Sequence, residues 1–320
     1  MRPRFQWDLG SRSLPLGERT LIMGVLNVTP DSFSDGGLYF DPQAAVAHGL
    51  DLLDQGADIL DIGGESTRPG TPTASSLAPG LAGAVSAQEE LDRVLPVIEA
   101  IKKQRPNAIL SIDTYKSMVA RFAIQAGVEI VNDVSGFTWD SVMSSTVAER
   151  PCGAILMHVR GLPHEWFALP TQPDVVAVVR EELRARATEA LDAGIPRRSI
   201  VLDPGFGFGK NLDDNYPMIA RFAEFQTLGF PLMVAVSRKS FLGYTAAARL
   251  AQVAARNAHL DAAPAAPPEP PVPLPPNARD TATLAATVAA VLAGAHIVRV
   301  HAVAPALEAF AIADAILNAQ

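Results

Sequence analysis

LIMGVL at residues 21–26 and ILDI at residues 59–62 are short runs whose hydrophobicity is continuous rather than alternating. A strand with one face in water alternates apolar and polar residues, whereas a strand covered on both faces does not. Similar runs recur at 109–112, 128–131, 154–157, 200–202, 232–236 and 296–300, giving eight candidate strands. Helical patterns separate them, near 116–126, 141–149, 174–193, 214–227, 240–258, 280–293 and 305–318. Strands alternating with helices require parallel, right-handed crossovers. The fold class expected is therefore α/β, a single-domain (β/α)₈ TIM barrel, with a doubly wound open sheet as the alternative.

Local signals agree with this order. Asp41-Pro42 supplies an N-cap followed by proline in the first turn, and Ser86 with Glu89 forms a capping box ahead of Leu91, Val94 and Leu95. Pro96 is expected to kink that helix. Residues 1–20 read as an N-terminal extension and 21–320 as the barrel. Two surface excursions interrupt the barrel. One is the long second loop, rich in Ser, Thr, Pro, Gly and Ala over 71–84; the other is a Pro/Ala-rich insertion at 262–276 between the seventh and eighth strands, read as a passive spacer.

Composition narrows the function. Hydrophobic residues make up 48% and charged residues 19%, enough for a core, and the net charge of −8 without a basic run argues against nucleic acid or an anionic membrane as partner. Cys152 is the single cysteine, so no intramolecular disulfide forms and a reducing cytoplasm is the expected compartment. The opening residues do not read as a signal peptide, and the Ala-rich window 282–300 reads as a buried helix and strand rather than a membrane span.

In a (β/α)₈ barrel the chemistry sits where the strands end. The residues following the eight runs are Asn27; Asp61, Thr67 and Arg68; Asp113; Asn132; Met157 and His158; Asp203; Ser237, Arg238, Lys239 and Ser240; and Arg299 and His301. Any one of them has a structural explanation: Asp203-Pro204-Gly205 as a turn, Asn132-Asp133 as a cap, Ser237 to Ser240 as a helix start. Polar groups at every strand end are better explained by a shared pocket. Asp113, Asn132, Asp203 and Lys239 suit the edge of a flat, amide-rich heterocycle. Asn27, Arg68, Arg299 and His301, with the N–H groups opening a helix at Ser240, suit a pyrophosphate. Other motifs fail: Gly205 to Lys210 lacks phosphate-loop spacing, no nucleophile elbow occurs, and His48, His164, His259 and His296 read as packing or surface residues.

Eight stretches carry a resemblance: MGVLNVTPDSFSDGG (23–37), GADILDIGGESTRPG (56–70), SIDT (111–114), VNDVSG (131–136), LMH (156–158), DPGFGFGKN (203–211), SRKSFLG (237–243) and RVH (299–301). In this order they closely resemble the dihydropteroate synthase family of pterin-binding enzymes, over residues 21–318. The resemblance implies condensation of 6-hydroxymethyl-7,8-dihydropterin diphosphate with p-aminobenzoate to 7,8-dihydropteroate and diphosphate, in folate biosynthesis. It implies that Asp113, Asn132, Met157, Asp203, Lys239 and Arg299 bind the pterin, with Asp113, Lys239 and Arg299 catalytic. It implies that Asn27, Arg68, Arg299 and His301 bind diphosphate, with Mg²⁺ held through Asn27. Phe33, Thr67, Pro69, Phe208, Lys239 and Ser240 would bind p-aminobenzoate, where sulfonamides would also sit, and the assembly would be a homodimer. The alternatives are a pterin-binding methyltransferase domain and a non-catalytic paralogue. One departure is Ala302, where the family commonly has Asp after RVH, so support from that carboxylate is expected to be lost.

Overall fold

The computed structural model describes residues 2–29, 41–66, 84–259 and 272–319. It opens with an antiparallel hairpin, β1 (Phe5–Asp8) and β2 (Ser13–Leu16). The βα alternation follows as β3 (Leu21–Asn27), α1 (Pro42–Asp54), β4 (Ile59–Gly63), α2 (Ala87–Gln104), β5 (Ile109–Asp113), α3 (Ser117–Gln125), β6 (Ile130–Asp133), α4 (Met143–Ala148), β7 (Gly153–Met157), α5 (Val175–Asp192) and β8 (Ile200–Asp203). The chain ends with α6 (Asn215–Ala220), β9 (Met233–Val234), α7 (Ser240–His259), α8 (Asp280–Leu292), β10 (Ile297–Val300) and α9 (Val303–Asn318).

All pairings among β3 to β10 are parallel, in the order β8-β7-β6-β5-β4-β3-β10-β9. A bridge between Leu202 and Leu232 joins the two ends and closes the barrel. The open doubly wound alternative is thereby excluded.

Period-two alternation sorts each strand's side chains. Ile22, Leu26, Leu60, Ile62, Leu110, Ile112, Leu156 and Val298 pack outward against the helices. Leu21, Met23, Ile59, Ile130, Ile155, Val201, Met233 and Ile297 fill the lower interior. The hairpin plugs this lower end: Trp7, Leu9 and Leu16 join the interior cluster, and the Trp7 indole N–H donates to the Ser199 carbonyl at 2.9 Å. Gly153 makes room for the plug, because a Cβ there would lie 2.6 Å from Leu9. The lower end is thus packed shut, leaving the strand C-termini as the open face.

Caps form as anticipated: Asp41 accepts from the Gln43 N–H, and Ser86 and Glu89 form a reciprocal box. Helix α2 runs unbroken through Pro96. Three boundaries differ from expectation, each for a local reason. The strand expected at 128–131 is regular only from Ile130, because the Val128 N–H closes the end of α3 on Ala123; Glu129 already bonds through its main chain to Leu110 and Gly153 of the flanking strands. The helix expected over 214–227 breaks at Arg221 into α6 and a 3₁₀ segment, Phe222–Leu228. Phe222, Phe225 and Leu228 are buried there at spacing three, the period of a 3₁₀ helix. The run at 232–236 pairs with β10 only over Met233–Val234, and the chain then turns away through Arg238 at φ 59°. Among the described residues no helix is long and apolar enough to cross a membrane.

Candidate active site

The alternation that fills the lower barrel with Ile59, Ile130, Ile155, Val201 and Ile297 puts Asp61, Asn132, Met157, Asp203 and Arg299 two residues further on, facing inward near the open end. The ladder sets Asp113 between Gly63 and Asn132, and Met157 beside Asp203. One cavity is lined by Asp113, Asn132, Met157, Asp203, Lys239 and Arg299, with Val134, Phe208, Met233 and Ala235 as apolar walls. The pterin residues implied by the resemblance are all among these. A larger cleft, bordered by Leu14, Arg19 and Asp58, lies at the plugged end, which in barrels carries stability rather than chemistry.

Arg299 is the hub. Its Nε donates to Asp61 Oδ2 and its Nη2 to Asp113 Oδ2, both at 2.6 Å. The same Asp61 oxygen accepts from Asn132 Nδ2 at 2.9 Å. Asp61 is fully buried, so one carboxylate fixes two donors of the cavity wall. Burial pushes the Asp113 carboxyl up to about 7, opposed by Arg299 and reinforced by Asp61. Asp203 Oδ1 accepts from the Gly205 N–H at 2.8 Å, whereas its Oδ2 is buried without a partner among the described residues. Burial pushes Asp203 up to about 6, opposed by the Gly205 hydrogen bond and Lys239.

Lys239 reaches the cavity from the turn after β9. Burial and neighbouring Arg299 push its ammonium down to about 7, while Asp203 and Asp113 resist that shift. Its Nζ lies 3.7 Å from the centroid of the Phe208 ring. Phe208 is presented by the Gly-Phe-Gly-Phe-Gly segment, in which Phe206 turns into the core. Gly205 is required there: at φ 69° a Cβ would meet the His158 carbonyl at 1.9 Å. Lys210, which gives this segment its superficial likeness to a phosphate loop, instead donates to the carbonyls of Gly205 and Phe208 at 2.6 and 3.1 Å, pinning the loop.

On the Arg299 side, His301 follows two residues along the chain, with its Nδ1 2.8 Å from Ser237 Oγ. Burial, with Arg299 and Arg238 nearby, pushes its imidazole down to about 3, so the ring is neutral. Asn27 ends β3 opposite Gly63, half-buried, and Ser240 opens α7, exposed. Arg238 turns away from the cavity into a two-point pair with Asp280 at 2.7 and 2.9 Å. Phe33, Thr67, Arg68 and Pro69 lie outside the described residues.

Two residues gain weight beyond the sequence reading. Asp61 and Ser237 stood among the strand-end residues without a role, yet they hold Arg299, Asn132 and His301. The signal for Asp61 was its spacing of two from inward Ile59. Ala302 is the N-cap of α9 and makes no side-chain cap bond, a position at which an aspartate would be able to cap that helix. The Gln55 side-chain oxygen accepts from the Ala304 N–H at 3.3 Å, replacing part of that cap.

The sequence pattern of a family described as "Pterin binding enzyme" matches residues 23–301. The chain is 39% identical over 299 residues to dihydropteroate synthase of Escherichia coli (strain K12), covering 93% of this chain and 92% of that protein. It is 38% identical to dihydropteroate synthase of Bacillus subtilis (strain 168), covering 96% and 92%. Its structure is similar to that of Xanthomonas albilineans dihydropteroate synthase with 4-aminobenzoic acid, with a TM-score of 0.78, 38% identity and 99% of each chain covered. By motif order, barrel and relatives alike, the chain belongs to the pterin binding enzyme family, within its dihydropteroate synthase branch.

Proposed function

We infer that this chain condenses 6-hydroxymethyl-7,8-dihydropterin diphosphate with p-aminobenzoate, releasing 7,8-dihydropteroate and diphosphate, the folate-forming reaction for which its relatives are named. The observation that carries the reading is the cavity at the strand C-termini, where Asp113, Asn132, Asp203 and Lys239 converge beside Arg299. The methyltransferase and non-catalytic alternatives are not favoured.

The residue roles proposed are these. Asp113, Asn132 and Asp203 accept from and donate to the amide-rich edge of the pterin; the open Asp203 Oδ2 offers a buried acceptor for a ring N–H. Met157 and the apolar walls contact the ring faces. Arg299, Arg68, His301 and Asn27 bind the diphosphate. Phe208, Lys239 and Ser240, with Phe33, Thr67 and Pro69, form the p-aminobenzoate site, which sulfonamides would share.

In the reaction the arylamine nitrogen supplies the electron pair of the new C–N bond to the pterin methylene carbon. The C–O bond to diphosphate breaks, its electron pair leaves with the diphosphate, and an amine proton passes to solvent. Positive charge develops on the pterin and negative charge on the leaving group. Ionised Asp113 stabilises the former, and Arg68, Arg299 and His301 the latter. No covalent enzyme intermediate is needed.

Asn27 would hold Mg²⁺ beside the diphosphate. Asn27 offers a hard amide oxygen, and no cluster of three acidic, His or Cys ligands is found among the described residues. When bound, Mg²⁺ would neutralise diphosphate charge. We further propose one barrel domain over residues 21–320 acting as a homodimer in the cytoplasm. Exposed Leu292, Ile312 and Ile316 on α8 and α9 support association, and the single, buried Cys152 suits a reducing compartment.

The test is direct: diphosphate release by the purified chain should require both substrates together. Release with the pterin diphosphate alone, unchanged by p-aminobenzoate, would refute the condensation.

A further inference from the structure

The mechanism leaves unexplained how a neutral histidine comes to present a proton to an anion. A neutral imidazole carries its hydrogen on one nitrogen only, and the second nitrogen is an acceptor that would repel phosphate oxygens. Which nitrogen is protonated follows from the partner of the other.

Ser237 Oγ has two contacts to His301 and no other hydrogen-bond partner among the described residues: it accepts the His301 backbone N–H at 3.2 Å and lies 2.8 Å from Nδ1. If Nδ1 carried the hydrogen, this buried hydroxyl would accept twice and its own O–H would lack an acceptor among the described residues. A buried donor left unmade is costly. If Nδ1 is bare, the serine O–H donates to it, both groups are satisfied, and the ring hydrogen resides on Nε2.

The hydroxyl is held in place by its chain neighbour. Arg238 follows Ser237 in the left-handed conformation, φ 59°. It is fixed there from the start of α8: its N–H donates to Thr283 Oγ1 at 3.0 Å, its carbonyl accepts from Arg279 Nη1 at 2.7 Å, and its guanidinium pairs with Asp280. Removing the Ser237 hydroxyl would leave this frame intact and release the His301 ring and its backbone N–H.

We propose that Ser237 is a positioning residue that holds His301 in the Nε2–H form, so that the neutral ring donates a hydrogen bond to the diphosphate leaving group. The proposal rests on the assignment of His301 to diphosphate made above.

Both can be tested separately on the full chain labelled with ¹⁵N-histidine, where nitrogen shifts distinguish protonated from bare ring nitrogens and His301→Gln identifies the His301 signals. Wild type should show a bare Nδ1 and protonated Nε2 on His301; a protonated Nδ1 overturns the proposal without any Ser237 variant. Ser237→Ala should mix the tautomers and weaken titrated Mg²⁺-diphosphate by about 10-fold, the equivalent of one hydrogen bond, while Ser237→Thr restores both. A Ser237→Ala protein with wild-type tautomer and affinity also overturns the proposal. If instead His301→Gln binds diphosphate as tightly as wild type, the underlying assignment of His301 fails, and the proposal with it.

Discussion

Asp113→Asn separates the two duties that the site gives this residue. The carboxylate accepts from Arg299 Nη2 at 2.6 Å and lines the pterin cavity. The amide keeps an oxygen for Arg299 and a shape for the ring, and loses the charge. A unit charge about 4 Å from a developing cation, at an effective dielectric near 20, contributes about 4 kcal/mol. Arg299 cancels part of this, so the expected loss is about 3 kcal/mol, or roughly 10²-fold in the rate of the chemical step. Because burial raises Asp113 to about 7, the charged form is lost as pH falls below that value. In wild type kcat/KM should therefore decline on that side, with Asp203, raised to about 6, adding to the fall at lower pH. The asparagine variant should lose the upper part of this limb. Stability moves the other way. A carboxyl whose folded value is raised costs the folded state most above that value, so the variant should melt no earlier than wild type at pH 8. The assay pairs single-turnover diphosphate release with pterin titration and thermal melts. An unchanged release rate in a folded variant would remove Asp113 from the chemistry, and a loss confined to pterin affinity would reduce it to orientation.

Other substitutions probe the frame. Ala302→Asp should cap α9 and stabilise the fold by about 1 kcal/mol, a Tm rise of about 2 °C, with kcat unchanged; a changed kcat would return position 302 to the site. Asp61→Asn leaves one neutral oxygen for Arg299 and Asn132, and should weaken pterin binding by about 10- to 100-fold in direct titration; wild-type affinity would show that neither donor needs its charge. Lys116 donates to Glu65 at 2.6 Å and also to Glu90, all three side chains nearly buried. Lys116→Met should cost about 3 kcal/mol in urea melts. Burial already raises Glu90 against the pull of Lys116, so without the ammonium its ionised form costs more; the deficit should be largest at pH 8 and shrink toward pH 5. A pH-independent deficit would refute that cause. Replacing 262–272 with a Gly/Ser linker should leave turnover within about 2-fold, provided Leu274 is kept, since its carbonyl accepts from Arg279 at 2.6 Å; a loss by orders of magnitude would end the spacer reading.

Much of the barrel was legible because its strands are covered on both sides. Burial by helices outside and by side chains inside leaves no alternation to mask the run, and the polar residue ending each run marks the open face. What escaped were features set by backbone angle or by distant contact. Nothing in VAVSRKS announces that Arg238 adopts φ 59° and ends the ladder at Val234, because the bonds that hold it come from Arg279, Asp280 and Thr283. The hairpin of Phe5 to Leu16 was equally hidden: Trp7 has a place only once eight strands form a ring for it to close.

Asp61 marks the boundary between the two kinds of knowledge. Its inward direction follows from Ile59 by counting two along a strand, so its location was available to the sequence. Its importance was not, because a carboxylate gains a role only from what it faces. Arg299 lies 238 positions away in the chain, and Asn132 lies 71 away. The ring brings the three together by register alone, with β3 and β5 on either side of β4. The same register gives β4, β6, β8 and β10 a lower, apolar residue beside the Trp7 plug and an upper, polar one at the open end, whereas β7 presents Met157 there. Changes such as Ile59→Ala and Asp61→Asn, two positions apart on one strand, should thus separate cleanly: the first creates a cavity in the plug and lowers Tm by removing about 2–4 kcal/mol of packing, while the second changes ligand affinity. If Ile59→Ala weakened pterin binding as strongly as Asp61→Asn at a temperature where both variants are folded, the two layers would be coupled, and the separation of a stabilising lower barrel from a catalytic upper rim would not hold for this chain.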